Sequence, residues 1–117
     1  MGRPVAFFEI TSNDADRARS FYCDLFGWSA PADPDDGYAL VDTGAGETAI
    51  GGGIGPAQAP GEAGVKIYVQ VEDLEQSLQR AGELGGTTLV APTPLPGDYG
   101  RFAVFADPDG NPVGLWG

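Results

Sequence analysis

The sequence predicts an α+β protein built from two βαβββ modules in one chain, together forming a curved mixed sheet that encloses a cup. Three observations carry this reading. A β-prone segment followed by an amphipathic helix and further short strands occurs twice in the same order. A shift of 59 residues lays Phe7 on Lys66, Asp14 on Asp73, Leu25 on Leu84 and Gly27 on Gly86. The glycines and prolines fall mostly between these segments, where turns and helix ends need them.

The elements follow in order. Residues 5–11 are β-prone, with Phe7, Phe8 and Ile10 among them. Ser12, Asn13 and Asp14 supply helix N-cap chemistry. From Ala15 to Phe26, Ala18, Phe21, Tyr22, Leu25 and Phe26 recur at helical spacing, and Gly27 suits the left-handed residue that ends a helix. A strand start at Trp28, a Pro/Asp-rich loop over 31–37 and a strand over 38–43 come next. Gly44-Ala45-Gly46 reads as a hairpin turn into a glycine-rich strand over 48–54. Residues 55–64 form a linker between module 5–54 and module 65–116 of a single domain, 1–117. The second module repeats the order: a strand over 65–71, a cap at Glu72-Asp73, a helix over 74–84 and a stop at Gly85-Gly86. Strands then span 87–91, 101–106 and 112–116. A loop over 92–100 precedes the last pair, and an Asp107–Asn111 turn joins them.

Composition excludes several kinds of chemistry. The chain of 117 residues has no histidine and a single cysteine, Cys23. A histidine base, a Ser-His-Asp triad, a cysteine-held cluster and an internal disulfide are therefore impossible within it. Cys23, on a helix, is most simply a small buried apolar group. The net charge of −11, with six Lys and Arg and no basic cluster, argues against nucleic-acid binding; its simplest role is to keep the protein soluble, and a functional role would favour cationic ligands over anionic ones. No leader pattern or long apolar run is present, so the expectation is a cytoplasmic protein without membrane contact.

Three motifs carry a family resemblance. The first is Phe7-Phe8-Glu9-Ile10 with Asp14-Ala15-Asp16-Arg17-Ala18 and Phe21-Tyr22-x-x-Leu25-Phe26-Gly27-Trp28. The second is Tyr68-Val69-x-Val71-Glu72-Asp73-Leu74 with Leu84-Gly85-Gly86. The third is Phe105-x-Asp107-Pro108-Asp109-Gly110-Asn111-Pro112-Val113-Gly114-Leu115. With them the chain resembles the vicinal oxygen chelate superfamily, the glyoxalase, bleomycin-resistance and extradiol-dioxygenase group. The resemblance implies a homodimer and one divalent metal held in the cup by His or Glu on the first and last strands of each half. Carried over by position, those sites fall on Phe7, Lys66, Gly114 and the run Gly51-Gly52-Gly53. Phenylalanine and glycine side chains offer no donor, and a protonated lysine repels a cation. The expectation is therefore no metal and no other cofactor.

Strand alternation turns Phe7, Glu9, Thr11, Lys66, Tyr68, Gln70 and Trp116 toward the cup. Trp28, Tyr38 and Phe102 are further candidates for its aromatic lining; core is the commoner role for all these aromatic residues, and Tyr68 and Trp116 are the favoured wall residues. Glu9 and Lys66 are the candidate acid–base pair, and a structural ion pair is the simpler role for them. The Gly51–Gly53 run lacks the lysine and helix of a phosphate loop and suits close backbone or ligand approach. The leading reading is a metal-independent small-molecule binding protein similar to bleomycin-resistance-type proteins, a resemblance that implies sequestration of a cationic or aromatic antibiotic. A glyoxalase-like lyase, isomerase or dioxygenase is the alternative, with Glu9, Glu47 and Glu62 as carboxylates for a displaced metal site. A regulatory module associating through sheet edges is the third.

Overall fold

The structure, a computed structural model, describes residues 2–58 and 61–117. Its elements are β1 (Val5–Ser12), α1 (Ala15–Phe26), β2 (Ala39–Val41), β3 (Gly51–Pro56), β4 (Gly64–Gln70), α2 (Leu74–Glu83), β5 (Thr87–Pro94), β6 (Arg101–Ala106) and β7 (Pro112–Trp116). They form two compact units. The first is Phe7–Val65; the second joins the residues before Phe7 to Lys66–Gly117. The division follows the sequence repeat except at the N-terminus, where the Pro4 carbonyl accepts from the Gln70 amide at 3.0 Å.

In the first unit β3 is central, parallel to β1 and antiparallel to β2. Asp14 caps α1 by accepting from the Arg17 amide at 3.1 Å. Gly27, at φ 71°, closes the helix with a bond to the Cys23 carbonyl, as its spacing predicts. The core is Ile10, Ala30, Ala39, Val41 and Ile54, with Phe8, Ala18, Tyr22, Cys23 and Trp28 packed against it. The apolar stripe of α1 is wider than the face this core covers. Phe21 and Leu25 each stay 59% exposed.

The second unit orders its strands β4-β7-β6-β5, with β4 parallel to β7 and the other pairs antiparallel. Asp73 caps α2 through the Gln76 amide at 3.0 Å. Val71, Leu74, Leu78, Ala103 and Leu115 form its core. Leu74 is 1% exposed, so its burial contributes about 2–3 kcal/mol. Arg101 at the start of β6 makes two 2.9 Å bonds to the Glu75 carboxylate in the first turn of α2, tying helix to sheet.

Several boundaries differ from the sequence expectation. The strand expected over 38–43 shortens to Ala39–Val41, because Asp42 bridges instead to Ser29. No tight hairpin forms at Gly44-Ala45-Gly46. The Asp42 carboxylate and Thr43 hydroxyl accept from the amides of Gly44 and Ala45, which opens a longer loop before β3. β3 starts at Gly51 and takes Gly55 and Pro56 from the expected linker, whose residues 59 and 60 lie outside the described residues. β5 runs on to Pro94 through two register shifts. Its edge position and bulged ladder tolerate Pro92.

Asp107 shows why the last turn is so legible. Its Oδ1 accepts from the amides of Asp109 and Asn111 at 2.9 Å, and its Oδ2 accepts from Asn111 Nδ2 at 3.0 Å. The Asn111 side-chain bond, followed by its backbone bond, holds the Asp107 carboxyl below its ordinary value of 3.8. A depressed carboxyl stabilises the fold above its unfolded pKa, and that contribution is lost as pH falls through the folded value. Asp107→Ala is thus expected to lower Tm at neutral pH, with the gap to the wild type narrowing as pH falls below the ordinary carboxyl value and through the folded one. Thermal melts across pH read this directly. Leu74→Ala is expected to cost about 2–5 kcal/mol in denaturant unfolding, the range for a fully buried leucine.

Candidate functional site

In the first unit, β1 alternates strictly. Phe8 and Ile10 enter the core under α1, so Phe7, Glu9 and Thr11 stand on the opposite face. On β3 their partners are Gly51, Gly53 and Gly55. On β2 Leu40 pairs with Gly53, shares that face and is 55% exposed. Three glycines in register leave a floor of bare backbone there.

Tyr38 fills that floor. A Cβ added at Gly53 would strike the Tyr38 hydroxyl and ring, and one at Gly55 would lie 2.5 Å from its Cδ2. The Tyr38 Oη donates to Glu9 Oε2 at 2.7 Å, a length typical of a hydroxyl bonded to a carboxylate. The preceding loop aims the ring. Asp36 Oδ1 accepts from the Tyr38 amide at 2.9 Å, the Asp33 amide donates to the Tyr38 carbonyl, and Gly37 turns the chain at φ 73°. Gly52 does for the core what Gly53 does for the site: a Cβ there would strike the Phe8 ring. Both faces of the glycine run therefore receive an aromatic ring.

The Thr11 hydroxyl donates to the Glu62 carbonyl at 2.9 Å, which holds the linker's end against β1. The Glu62 carboxylate accepts from the Gln58 amide at 3.0 Å, and Glu47 sits in an exposed turn. Neither lies in a metal-binding cluster. Among the described residues no group of three or more His, Cys, Asp or Glu could hold a metal ion.

The second unit repeats the arrangement on the face away from α2. Tyr68 pairs with Gly114, and Gly114 with Val104; Gln70 pairs with Trp116, and Trp116 with Phe102. Tyr68, Gln70, Phe102 and Trp116 thus form two adjacent rows on one face, as strand alternation requires. A Cβ at Gly114 would strike the Tyr68 ring. Trp116 Nε1 donates to the Tyr99 carbonyl at 2.6 Å and pins the loop before β6. Lys66 stands on β4, half-buried.

Register now resolves the glycine run. Glu9 pairs with Gly53 as Tyr68, its counterpart by the repeat, pairs with Gly114. Gly53 and Gly114 are therefore equivalent. The positions the family resemblance marks for metal ligands carry Phe7, Gly53, Lys66 and Gly114. This set does not fit a divalent ion, and at both glycines a tyrosine ring fills the space a ligand side chain would need.

One expected lining residue is misplaced. Trp28 lies 5.4 Å from the Phe8 ring, 6.0 Å from that of Tyr22 and 5.1 Å from that of Phe26. It belongs to the core under α1, because the backbone after Gly27 turns inward to bridge Ser29 with Asp42. Leu40 and Gly55, by contrast, belong to the site and escaped the sequence reading. Alternation of Leu40 between buried Ala39 and Val41 is the signal that could have found the first.

Replacing either glycine is expected to be costly. Gly53→Ala and Gly114→Ala should each destabilise by about 1–3 kcal/mol, the range for overpacking. The exposed Gly82→Ala in α2, which meets nothing, should stabilise by about 0.5–1 kcal/mol. Denaturant unfolding of the three variants checks the contrast. Trp116→Phe should cost about 0.5–1.5 kcal/mol and speed amide exchange near Tyr99.

Residues 7–116 match the family described as Glyoxalase-like domain. A glyoxylase-like domain-containing protein of Didymella fabae is 30% identical over 92% of this chain and 88% of its own length. An anthracycline biosynthesis protein of Streptomyces sp. is 28% identical over 95% of this chain, which spans only 46% of that relative. A Mycobacterium tuberculosis relative, 26% identical, is likewise spanned over 43% of its length. Among solved structures, a glyoxalase/bleomycin resistance protein/dioxygenase superfamily member from Vibrio splendidus superposes with TM-score 0.63, covering 97% of both chains at 19% identity. Methylmalonyl-CoA epimerase from Mycobacterium tuberculosis gives 0.65 at 17% identity, covering 96% of this chain and 85% of its own.

Proposed function

The chain belongs to the glyoxalase-like domain family, and from that premise we propose that it is a metal-independent binding protein for a flat, aromatic small molecule. One observation carries the proposal: tyrosine rings fill the space above both Gly53 and Gly114. The family scaffold here offers an aromatic surface with a carboxylate, Glu9, in place of a cation-holding corner. Phe7, Tyr38 and Leu40 supply the apolar surface of the first unit's site. Glu9 supplies the polar anchor and is the one group there suited to take a proton, should the ligand be turned over. Trp116, Phe102 and Gln70 supply a second aromatic face beside Tyr68, which is itself buried, and Lys66 supplies a positive charge.

The net charge of −11 favours a ligand with cationic character, which fits the sequestration of a cationic aromatic antibiotic. A relative named for anthracycline biosynthesis points to the same aromatic class. The isomerase and dioxygenase alternatives draw on solved structures too distant in sequence to support more than the fold, whereas the glyoxalase-like lyase alternative has the family itself and relatives named as glyoxylases behind it. A homodimer and a cytoplasmic location accompany the proposal. Among the described residues no helix is long and apolar enough to cross a membrane.

Calorimetry with a panel of cationic aromatic drugs, run with and without EDTA, tests this reading. The expected result is stoichiometric binding that the chelator leaves unchanged. Binding that vanishes with EDTA and returns with a divalent ion contradicts it. Glu9→Gln is expected to weaken the binding about tenfold or more, as removal of one charged partner does.

A further inference from the structure

We propose that Tyr38 is an internal stand-in for the ligand: its phenol occupies a slot that a hydroxylated aromatic ring takes over on binding. The inference rests on the binding reading above and adds the chemical class that the slot selects. The slot's floor is the backbone of Gly53 and Gly55, where any larger residue would collide with the Tyr38 ring. Its polar end is Glu9, which accepts the phenol hydroxyl at 2.7 Å. A flat ring over bare backbone, with a hydroxyl donated to a carboxylate, describes the Tyr38 side chain. It equally describes a phenolic ligand in the same place.

The surroundings suit an exchange. Tyr38 is half-buried, at the junction of an exposed loop and the short strand β2. Its backbone is held by Asp33 and Asp36, so the side chain can leave while the loop keeps its turns. Leu40, two residues on and 55% exposed, offers apolar contact to a ring wider than tyrosine's. A phenol is neutral at pH 7 and donates one hydrogen bond, so the incoming group replaces the outgoing one without a change of charge. Tyr38 is on this view a specificity-determining residue. It competes with the ligand and sets the minimum that a ligand must offer.

The test uses 2-naphthol and its methyl ether, 2-methoxynaphthalene, which lacks the donor. Each is titrated into the wild type, Tyr38→Phe and Glu9→Gln, with affinities read by ligand-observed NMR. The wild type is expected to prefer 2-naphthol by about tenfold, the worth of one hydrogen bond to a charged group. Tyr38→Phe keeps the ring and removes the competing hydroxyl, so 2-naphthol should bind it several-fold more tightly. Glu9→Gln should erase the preference over the ether.

A fixed wall residue gives the opposite sign: if Tyr38→Phe weakens 2-naphthol or leaves it unchanged, the stand-in role is overturned while the binding reading survives. A preference for 2-naphthol that persists in Glu9→Gln also overturns it. A third probe, 1-naphthylmethylammonium, separates the classes. If only that cation gains affinity in Tyr38→Phe, the slot reads charge and the phenolic assignment fails. If no probe binds any variant, including the cation, the proposal and the binding reading fail together.

Discussion

Bare backbone beneath aromatic rings is the constraint on which this molecule depends. Gly52 admits the Phe8 ring on the core side of β3, Gly53 and Gly55 admit Tyr38 on the other, and Gly114 admits Tyr68 in the second unit. A Cβ at any of these positions would meet a ring closer than real side chains approach. Glycine weakens a strand through its backbone entropy and lack of packing area. Here the rings restore that area. The buried Ile54, beside Gly53, shows that β3 is a core strand despite its composition.

The same exchange redefines the chemistry available to the fold. A strand residue with a donor side chain at Gly53 or Gly114 could reach an ion; glycine under a tyrosine cannot. With Phe7 and Lys66 at the other positions that the family resemblance marks, none of the four residues is an ordinary side-chain ligand for a divalent ion. The first unit's site holds instead a carboxylate and a phenol bonded to each other. That pairing orients Glu9, and a carboxylate fixed by a neighbour is a better recognition element than one free to rotate.

Much of this was legible in the residues. Both helix caps, the left-handed Gly27 and the Asp107–Asn111 turn stood where residue type and spacing put them, because each depends on bonds a few residues apart. Alternation placed Phe7, Glu9 and Thr11 on one face and Tyr68, Gln70 and Trp116 on another for the same local reason. Three kinds of feature were not legible. The 42–50 loop was hidden because Asp42 and Thr43 can serve a ladder or a turn, and only the partner strand decides. Trp28 was misassigned because its ring could face either way until the Ser29–Asp42 bridge fixed the backbone. The equivalence of Gly53 and Gly114 needed strand register, which a run of three glycines cannot specify alone.

A crystal structure of the protein purified without chelator, with anomalous data collected for divalent metals, tests the central claim most directly. Density for the Tyr38 ring over Gly53 and Gly55, with its hydroxyl on Glu9, the Tyr68 ring over Gly114 and no anomalous peak beside either tyrosine, is the result expected. An ion coordinated by Glu9, with the Tyr38 ring turned away from the glycine floor, contradicts it.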